Sequence, residues 1–140
     1  EISCSLVGSE MCIRDSSNFD RMDMLFAGIG TLASIDSIPV WHQHRQAILG
    51  GADPQAVVGL LYGRPYDING HILNADHDKL FGAKMPAILK VPRRFGIIKS
   101  KFKSEALLGA LRGQLLTDII IDEAVANRVL QEDQATPLSK

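Results

Sequence analysis

Residues Val91–Leu130 constrain the fold more than any other part of the chain, because they read as two strand-then-helix units in series. The first is RRFGIIK followed by SKFKSEALLGALRG, and the second is LLTDIII followed by DEAVANRVL. Phe95–Ile98 and Ile119–Ile121 are unbroken apolar runs. A strand without polar alternation has no face to give to water, so both runs predict burial on both faces, the habit of parallel sheets covered by helices. Each helix begins where a polar side chain can cap it: Ser100 or Ser104 for the first, Asp122 for the second. Gly113 sits where the first helix should stop. Two such units predict a right-handed parallel crossover with ligands at the carboxyl ends of the strands. Those ends carry Lys99, Ser100, Lys101 and Lys103 at one strand, and Asp122 and Glu123 at the other. Cations beside free helix N–H groups suit a phosphate or another anion.

The rest of the chain fits the same class. MDMLFA (Met22–Ala27) reads as a short buried strand, and GIGTLASIDSIP as the loop at its carboxyl end. Trp41–Leu49 predicts a short helix ended by Gly50-Gly51, and Ala56–Tyr62 a further apolar strand. Asn69-Gly70 between Tyr66 and Ile72 is a hairpin signal, since both residues tolerate positive φ. Lys79–Gly82 is expected to return to the sheet, and Met85–Lys90 to form a brief helical turn before Pro92. The reading is therefore α/β, with about four mainly parallel strands, flanking helices and a β-hairpin. A length of 140 residues allows one domain or part of one. A net charge of −1 supplies no basic field of the kind that by itself implies nucleic-acid binding. The apolar runs are too short to span a bilayer, so no membrane partner is expected.

The first sixteen residues stand apart. EISCSLVGSEMCIRDS has neither helical nor strand periodicity, and lacks the basic start and apolar centre of a signal peptide. It resembles translated sequencing-adapter DNA, and 1–16 is expected to be a non-native or disordered leader. Both cysteines, Cys4 and Cys12, lie inside it and give no evidence of a disulfide or a metal site. Residues 17–131 form the expected globular portion, and 132–140 a polar tail that frays.

Five segments in order carry a family resemblance: DMLFAGIGTL, AVVGLLYGRPYDINGHIL, DKLFG, KVPRRFGII, and KSEALLGALRGQLLTDIIIDEAVANRVL. Together they resemble the C-terminal half of the effector-binding domain of SorC-type sugar-responsive transcriptional regulators, over roughly Phe19–Leu130. The resemblance implies a three-layer fold like that of glucosamine-6-phosphate deaminase, ribose-5-phosphate isomerase and the CoA transferases. It implies a sugar or sugar-phosphate effector, a cytoplasmic homo-oligomer when full length, and operator DNA bound through an N-terminal helix-turn-helix that is not part of this sequence. On that reading the chain is a truncated sensor of marginal stability, not an enzyme, and no cofactor is expected. Two departures bear on the ligand: the loop before the family's lysine is usually glycine-rich but here is Lys99-Ser100-Lys101-Phe102, and the family's arginine is Lys79.

The candidate ligand residues are Gly28, Gly30, Arg64, Lys79, Lys103 and Asp122. Lys103 lies at the start of the helix after a buried strand, and the resemblance makes it a phosphate contact; the alternative is a solvated surface lysine. Arg64 follows Gly63 at a strand end, where a guanidinium can clamp an anion bidentately or pair with Asp67. Gly28 and Gly30 allow close backbone approach, and Thr31 and Ser34 offer hydroxyls. Asp122 reads first as a helix cap and second as an acceptor for sugar hydroxyls. His42-x-His44 shares a face only on a strand and has no third ligand, so no metal site is expected. The competing reading is a sugar-phosphate isomerase- or deaminase-like enzyme fragment. Its acids would be Asp36, Asp122 and Glu123, but the loop after Gly30 lacks the deaminases' Gly-His…Asn-Glu pattern, which favours binding.

Overall fold

A computed structural model describes residues 21–75 and 82–136. Strand β1 (Met24–Ala27) is followed by three short helices, α1 (Leu32–Asp36), α2 (Pro39–Gln43) and α3 (Arg45–Leu49). Strands β2 (Gly59–Leu61) and β3 (Arg64–Tyr66) come next, then helix α4 (Met85–Lys90) and strand β4 (Arg93–Ile98). A single 3₁₀ turn, Lys101–Lys103, leads into α5 (Ser104–Arg112), and the chain continues through β5 (Asp118–Ile121) to α6 (Glu123–Ala135).

Strands β1, β4 and β5 form one parallel sheet with β4 in the centre. The two βα units therefore pair as the apolar runs predicted, with Ile98 opposite Ile121. The expected fourth strand does not join this sheet. β2 pairs antiparallel with β3 in a ladder of its own. The turn between them is Tyr62-Gly63, both at positive φ (54° and 74°), which is the backbone of a tight hairpin turn. The predicted Asn69-Gly70 turn is also present: Gly70 has φ 81°, and Tyr66 bridges Ile72 across it. The Lys79–Gly82 return falls largely outside the described residues.

The core gathers Ile98 from β4, Ala106, Leu107, Leu108 and Ala110 from α5, and Val125 and Val129 from α6, with Leu61 and Tyr66 from the hairpin. Tyr66 is fully buried and its hydroxyl donates to Ala106 O at 2.7 Å, which ties the hairpin to α5. Burial of the phenol pushes its pKa far up. Leu130 of α6 is 62% exposed. The helix itself runs to Ala135, beyond the expected start of fraying. Arg112 pairs with Asp133 at 2.7 Å and pins that last stretch to α5.

The apolar strands are not buried on both faces as predicted. Arg94, Gly96 and Ile98 point to the helices, while Phe26, Ile97 and Ile120 on the other face are each more than half exposed. Among the described residues, α5 and α6 supply the core from one side of the sheet, so alternate residues are left in water. Phe26 and Phe95 stack there at 4.9 Å, and Arg93 lies 4.6 Å over Phe95 while bonding Asp118 at 2.7 Å. That hydrogen bond, aided by Thr117, holds the Asp118 carboxyl below the usual range.

At the helix ends two expectations hold, the cap at Asp122 and the stop at Gly113, and one is corrected. Asp122 caps α6 as predicted, accepting from Val125 N–H at 2.9 Å. Neither serine caps α5, whose N-cap is Lys103. Ser104 instead donates to Glu132 of α6 at 2.8 Å. Gly113 has φ −79°, and the left-handed residue after the helix is Gln114, at φ 52°. Glycine is needed at 113 for a different reason: a Cβ there would sit 2.6 Å from the Cα of Gly70.

Candidate functional site

Parallel pairing brings three strand ends to a common rim. Ala27, Ile98 and Ile121 end β1, β4 and β5, and the segments that follow carry Gly28–Gly30, Lys99–Lys103 and Asp122. The half-buried Lys103 extends its ammonium to Ile29 O, 2.7 Å away. The lysine and the glycine loop, seventy-four residues apart in sequence, thus meet. An ammonium has three N–H donors, so one bond to a carbonyl leaves capacity for an anion. The 3₁₀ turn moves Lys103 to the residue just before α5, not within its first turn. Lys99 and Lys101 are both exposed.

The glycines differ in role. A Cβ on Gly28 would meet nothing within 4 Å, so its backbone lies open at the end of β1. Gly30 exchanges two hydrogen bonds of 2.9 Å with Leu60, which fastens the rim loop to the hairpin. Thr31 then caps α1 in a reciprocal box with Ser34, so the expected loop contains a helix. The Thr-x-x-Ser spacing of that box, with Ser34 where Glu or Gln is usual, is the signal that sequence reasoning passed over.

Arg64 is only 2% exposed and donates to Tyr62 O at 3.0 Å and Ala83 O at 2.8 Å. Its guanidinium braces the Tyr62-Gly63 turn against the segment before α4. The Asp67 carboxylate accepts from the N–H groups of Asn69 and His71 and from the His71 ring. Burial alone would raise the Asp67 pKa, but these bonds together outweigh it and hold the carboxyl below its ordinary value. Asp122 is exposed at the rim, with one oxygen engaged in its cap. Lys79 lies outside the described residues. Among those described, no three His, Cys, Asp or Glu side chains form a metal cluster, and His42 pairs with Asp36 at 3.0 Å.

Beside the rim, a cavity of about 460 Å³ opens between the three short helices and the hairpin. Gly30 and Thr31 form the border it shares with the rim loop. Ile35, Trp41, Ile48 and Leu60 give it apolar walls, and Asn74 closes one side. Its volume falls in the range of small-molecule sites. Asn74 is only 5% exposed, and its Oδ1 has no hydrogen-bond partner among the described residues. Trp41 and Asn74 were not singled out by sequence reasoning. Trp41 had a signal, being the single tryptophan of the chain and half exposed on a short helix; Asn74 had none.

Comparison with known proteins bears on what such a rim does. Residues 5–131 match the family model described as "Putative sugar-binding domain". The sorbitol operon regulator of Klebsiella pneumoniae is 27% identical over 122 residues, covering 83% of this chain and 37% of that protein. The crystal structure of the full-length sorbitol operon regulator SorC from the same organism superposes with a TM-score of 0.68 at 21% identity, over 90% of this chain and 41% of that one. The probable sor operon regulator of Shigella flexneri gives a TM-score of 0.67 at 23% identity, over 90% and 47%. At these identities the structures show a shared fold. The chain spans between 23% and 38% of the length of the curated relatives it matches.

Proposed function

The chain belongs to the family of sugar-binding domains matched over residues 5–131, and from that premise we propose that it is the ligand-sensing part of a sugar-responsive transcriptional regulator. The effector is a sugar or sugar phosphate, received at the carboxyl rim of the parallel sheet. The observation that carries this reading is the bond from Lys103 to the Gly28–Gly30 loop, which puts a cation with spare donors beside uncovered backbone. An anionic group on the effector would take up the free N–H donors of Lys103, with Lys99 and Lys101 adding to the local potential. Gly28 leaves room for the ligand to approach the chain closely. Asp122 accepts a sugar hydroxyl with the oxygen its cap does not use.

The acid–base groups of the rim support a non-catalytic role. General acid–base catalysis needs a carboxylate or histidine free to exchange protons with substrate. One oxygen of Asp122 is held in a helix cap, and Asp36 lies against His42 and Arg45. In the whole regulator, binding would bias the geometry of an oligomer and hence its affinity for operator DNA through a separate reader, as a coupling free energy between the two sites. The working location is the cytoplasm.

Calorimetric titration of the chain with hexose and hexitol phosphates tests the assignment, alongside Lys103→Met. Binding that weakens by about tenfold or more in the variant is the expected result, in line with loss of one charge-assisted contact. Equal affinities in both proteins would refute it.

A further inference from the structure

The asparagines of the chain are Asn18, Asn69, Asn74 and Asn127, and Asn69 alone is followed by glycine. In the sensor that pair does no more than turn the chain. We propose that Asn69-Gly70 is a latent site of deamidation and isoaspartate formation, held shut by the seating of its turn against the end of α5, and that conversion unseats the turn.

The chemistry follows from the dipeptide. Asparagine is among the thermally labile residues. Glycine is the following residue that hinders its reaction least, because no Cβ screens the main-chain nitrogen. Once Gly70 N has given its proton to hydroxide, it attacks Asn69 Cγ. The N–Cγ bond forms, the Cγ–Nδ2 bond breaks, and ammonia leaves with a proton taken from water, closing a succinimide ring. Water then adds to one of the two ring carbonyls. Opening at the former side-chain carbonyl gives aspartate. Opening at the main-chain carbonyl gives isoaspartate, whose main chain runs through Cβ and Cγ.

The folded turn is closed to the first step. Gly70 N–H donates to Asp67 O at 2.9 Å, so the nucleophile is engaged in the turn's own hydrogen bond. Asp67 Oδ1 accepts from the N–H groups of Asn69 at 2.9 Å and His71 at 2.8 Å, which fixes the backbone on either side of Gly70. Gly70 is also buried. A Cβ on it would lie 2.6 Å from both Gly109 O and Gly113 N, and a Cβ on Gly109 would lie 2.7 Å from Asp67 O. Gly109 and Gly113 stand one turn apart on α5 and together receive the hairpin turn. Ring closure needs the Asn69-Gly70 peptide to swing its nitrogen onto Cγ, and backbone packed this closely leaves no room for the swing. The reaction therefore passes through local opening of the turn.

The same close fit gives the product its effect. Isoaspartate lengthens the main chain by one carbon beside Gly70 and adds a carboxylate near that of Asp67. The obstacles are backbone atoms of α5, which cannot rotate aside, so the longer turn must leave its seat.

The test ages the purified chain at mildly alkaline pH, with and without guanidinium chloride, and follows it by peptide mapping that separates aspartate from isoaspartate. In denaturant Asn69 is expected to convert while Asn74 and Asn127 stay largely intact. Without denaturant, conversion at Asn69 should slow at least about tenfold, the protection that a docked segment confers. Gly113→Ala sets a methyl group against Gly70 and should raise the rate without denaturant; the wild-type comparison stands by itself if that variant does not fold. Asn69→Gln would need a larger ring and should stay unmodified, and its conversion at the Asn69 rate would rule out the ring route. Converted chain, separated by the charge it gains and refolded, should melt at a lower temperature than unaged chain handled in the same way. Equal rates with and without denaturant, or no isoaspartate at Asn69 in denaturant, would overturn the site. A folded Gly113→Ala that converts at the wild-type rate overturns the protective role of α5, and converted chain that melts like the unaged chain overturns the unseating.

Discussion

Replacing Arg94 by methionine isolates what a buried guanidinium does for this fold. Arg94 is 7% exposed and sends four hydrogen bonds to main-chain carbonyls: Nε to Leu115 O at 3.1 Å, Nη1 to Leu89 O at 3.0 Å and Val91 O at 2.6 Å, and Nη2 to Gln114 O at 2.9 Å. It thereby ties the end of α4 to the loop between α5 and β5, on both sides of its own strand. Hydrogen bonds to a charged group are worth ~1.5–3 kcal/mol each when one partner is removed. Of the four carbonyls, Leu115 O keeps the Tyr62 hydroxyl at 3.1 Å, so about three lose the donor that Arg94 supplied. Methionine offsets part of the loss by filling the stem's volume and by relieving a buried charge of its desolvation cost. The acceptors, however, are backbone and cannot be replaced along with the arginine, so the compensation that rescues some buried ion-pair replacements is not available. The net expectation is ~3–5 kcal/mol, or roughly 10–20 °C in Tm for a chain of this length. Urea unfolding followed by far-ultraviolet circular dichroism measures it, with Arg94→Lys as a variant that retains charge but not the fork. A loss in Arg94→Met below about 1 kcal/mol would refute the reasoning, for it would mean that the carbonyls find water as readily as they find the arginine.

Three further outcomes are expected. Gly113→Ala sets a methyl group 2.6 Å from Gly70 Cα, and since the obstacle is backbone, the α5 terminus or the hairpin must move at a cost of ~2–4 kcal/mol; chemical denaturation of the variant measures this, and wild-type stability would contradict the close approach. Tyr66→Phe removes the donor to Ala106 O and should cost ~1 kcal/mol, visible as a lower urea midpoint with an unchanged slope. The Asp67 carboxyl is more acidic in the folded chain than its ordinary value of 3.8, so it adds stability above that pH and gives it up as pH falls through its folded value. Asp67→Asn should therefore flatten the acid limb of the stability curve, and parallel limbs in both proteins would rule the carboxylate out as its source.

What the sequence disclosed was the part governed by local pattern. The runs at Phe95–Ile98 and Ile119–Ile121, short and each followed by a capped helix, pointed to paired parallel strands, and Asp122 declared its helix start through its own side chain. Lys103 and Asp122 were placed on one rim by that same pairing. What stayed hidden was set by distant neighbours. The Tyr62-Gly63 turn detached β2 from the main sheet, and a tyrosine at positive φ carries no local signal. Gly113 was legible as a glycine but not as the partner of Gly70. The uncovered face of the sheet reads like a buried one, since exposure there depends on which helices pack and not on the residues of the strand. Trp41 and Asn74 meet across a cavity whose walls come from four separate elements, a relation no window of sequence contains.

The hydrocarbon on that bare side of the sheet has a consequence for the chain in solution. Met24, Phe26, Ile97 and Ile120 turn outward from neighbouring strands, and the guanidinium–carboxylate pair between Arg93 and Asp118 interrupts the greasy strip with its one wet spot. Sulfate and similar salts, which ordinarily tighten a protein by raising the cost of exposed apolar area, should here draw molecules together through this surface at concentrations too low to firm up the interior. Light scattering is expected to rise ahead of any gain in melting temperature.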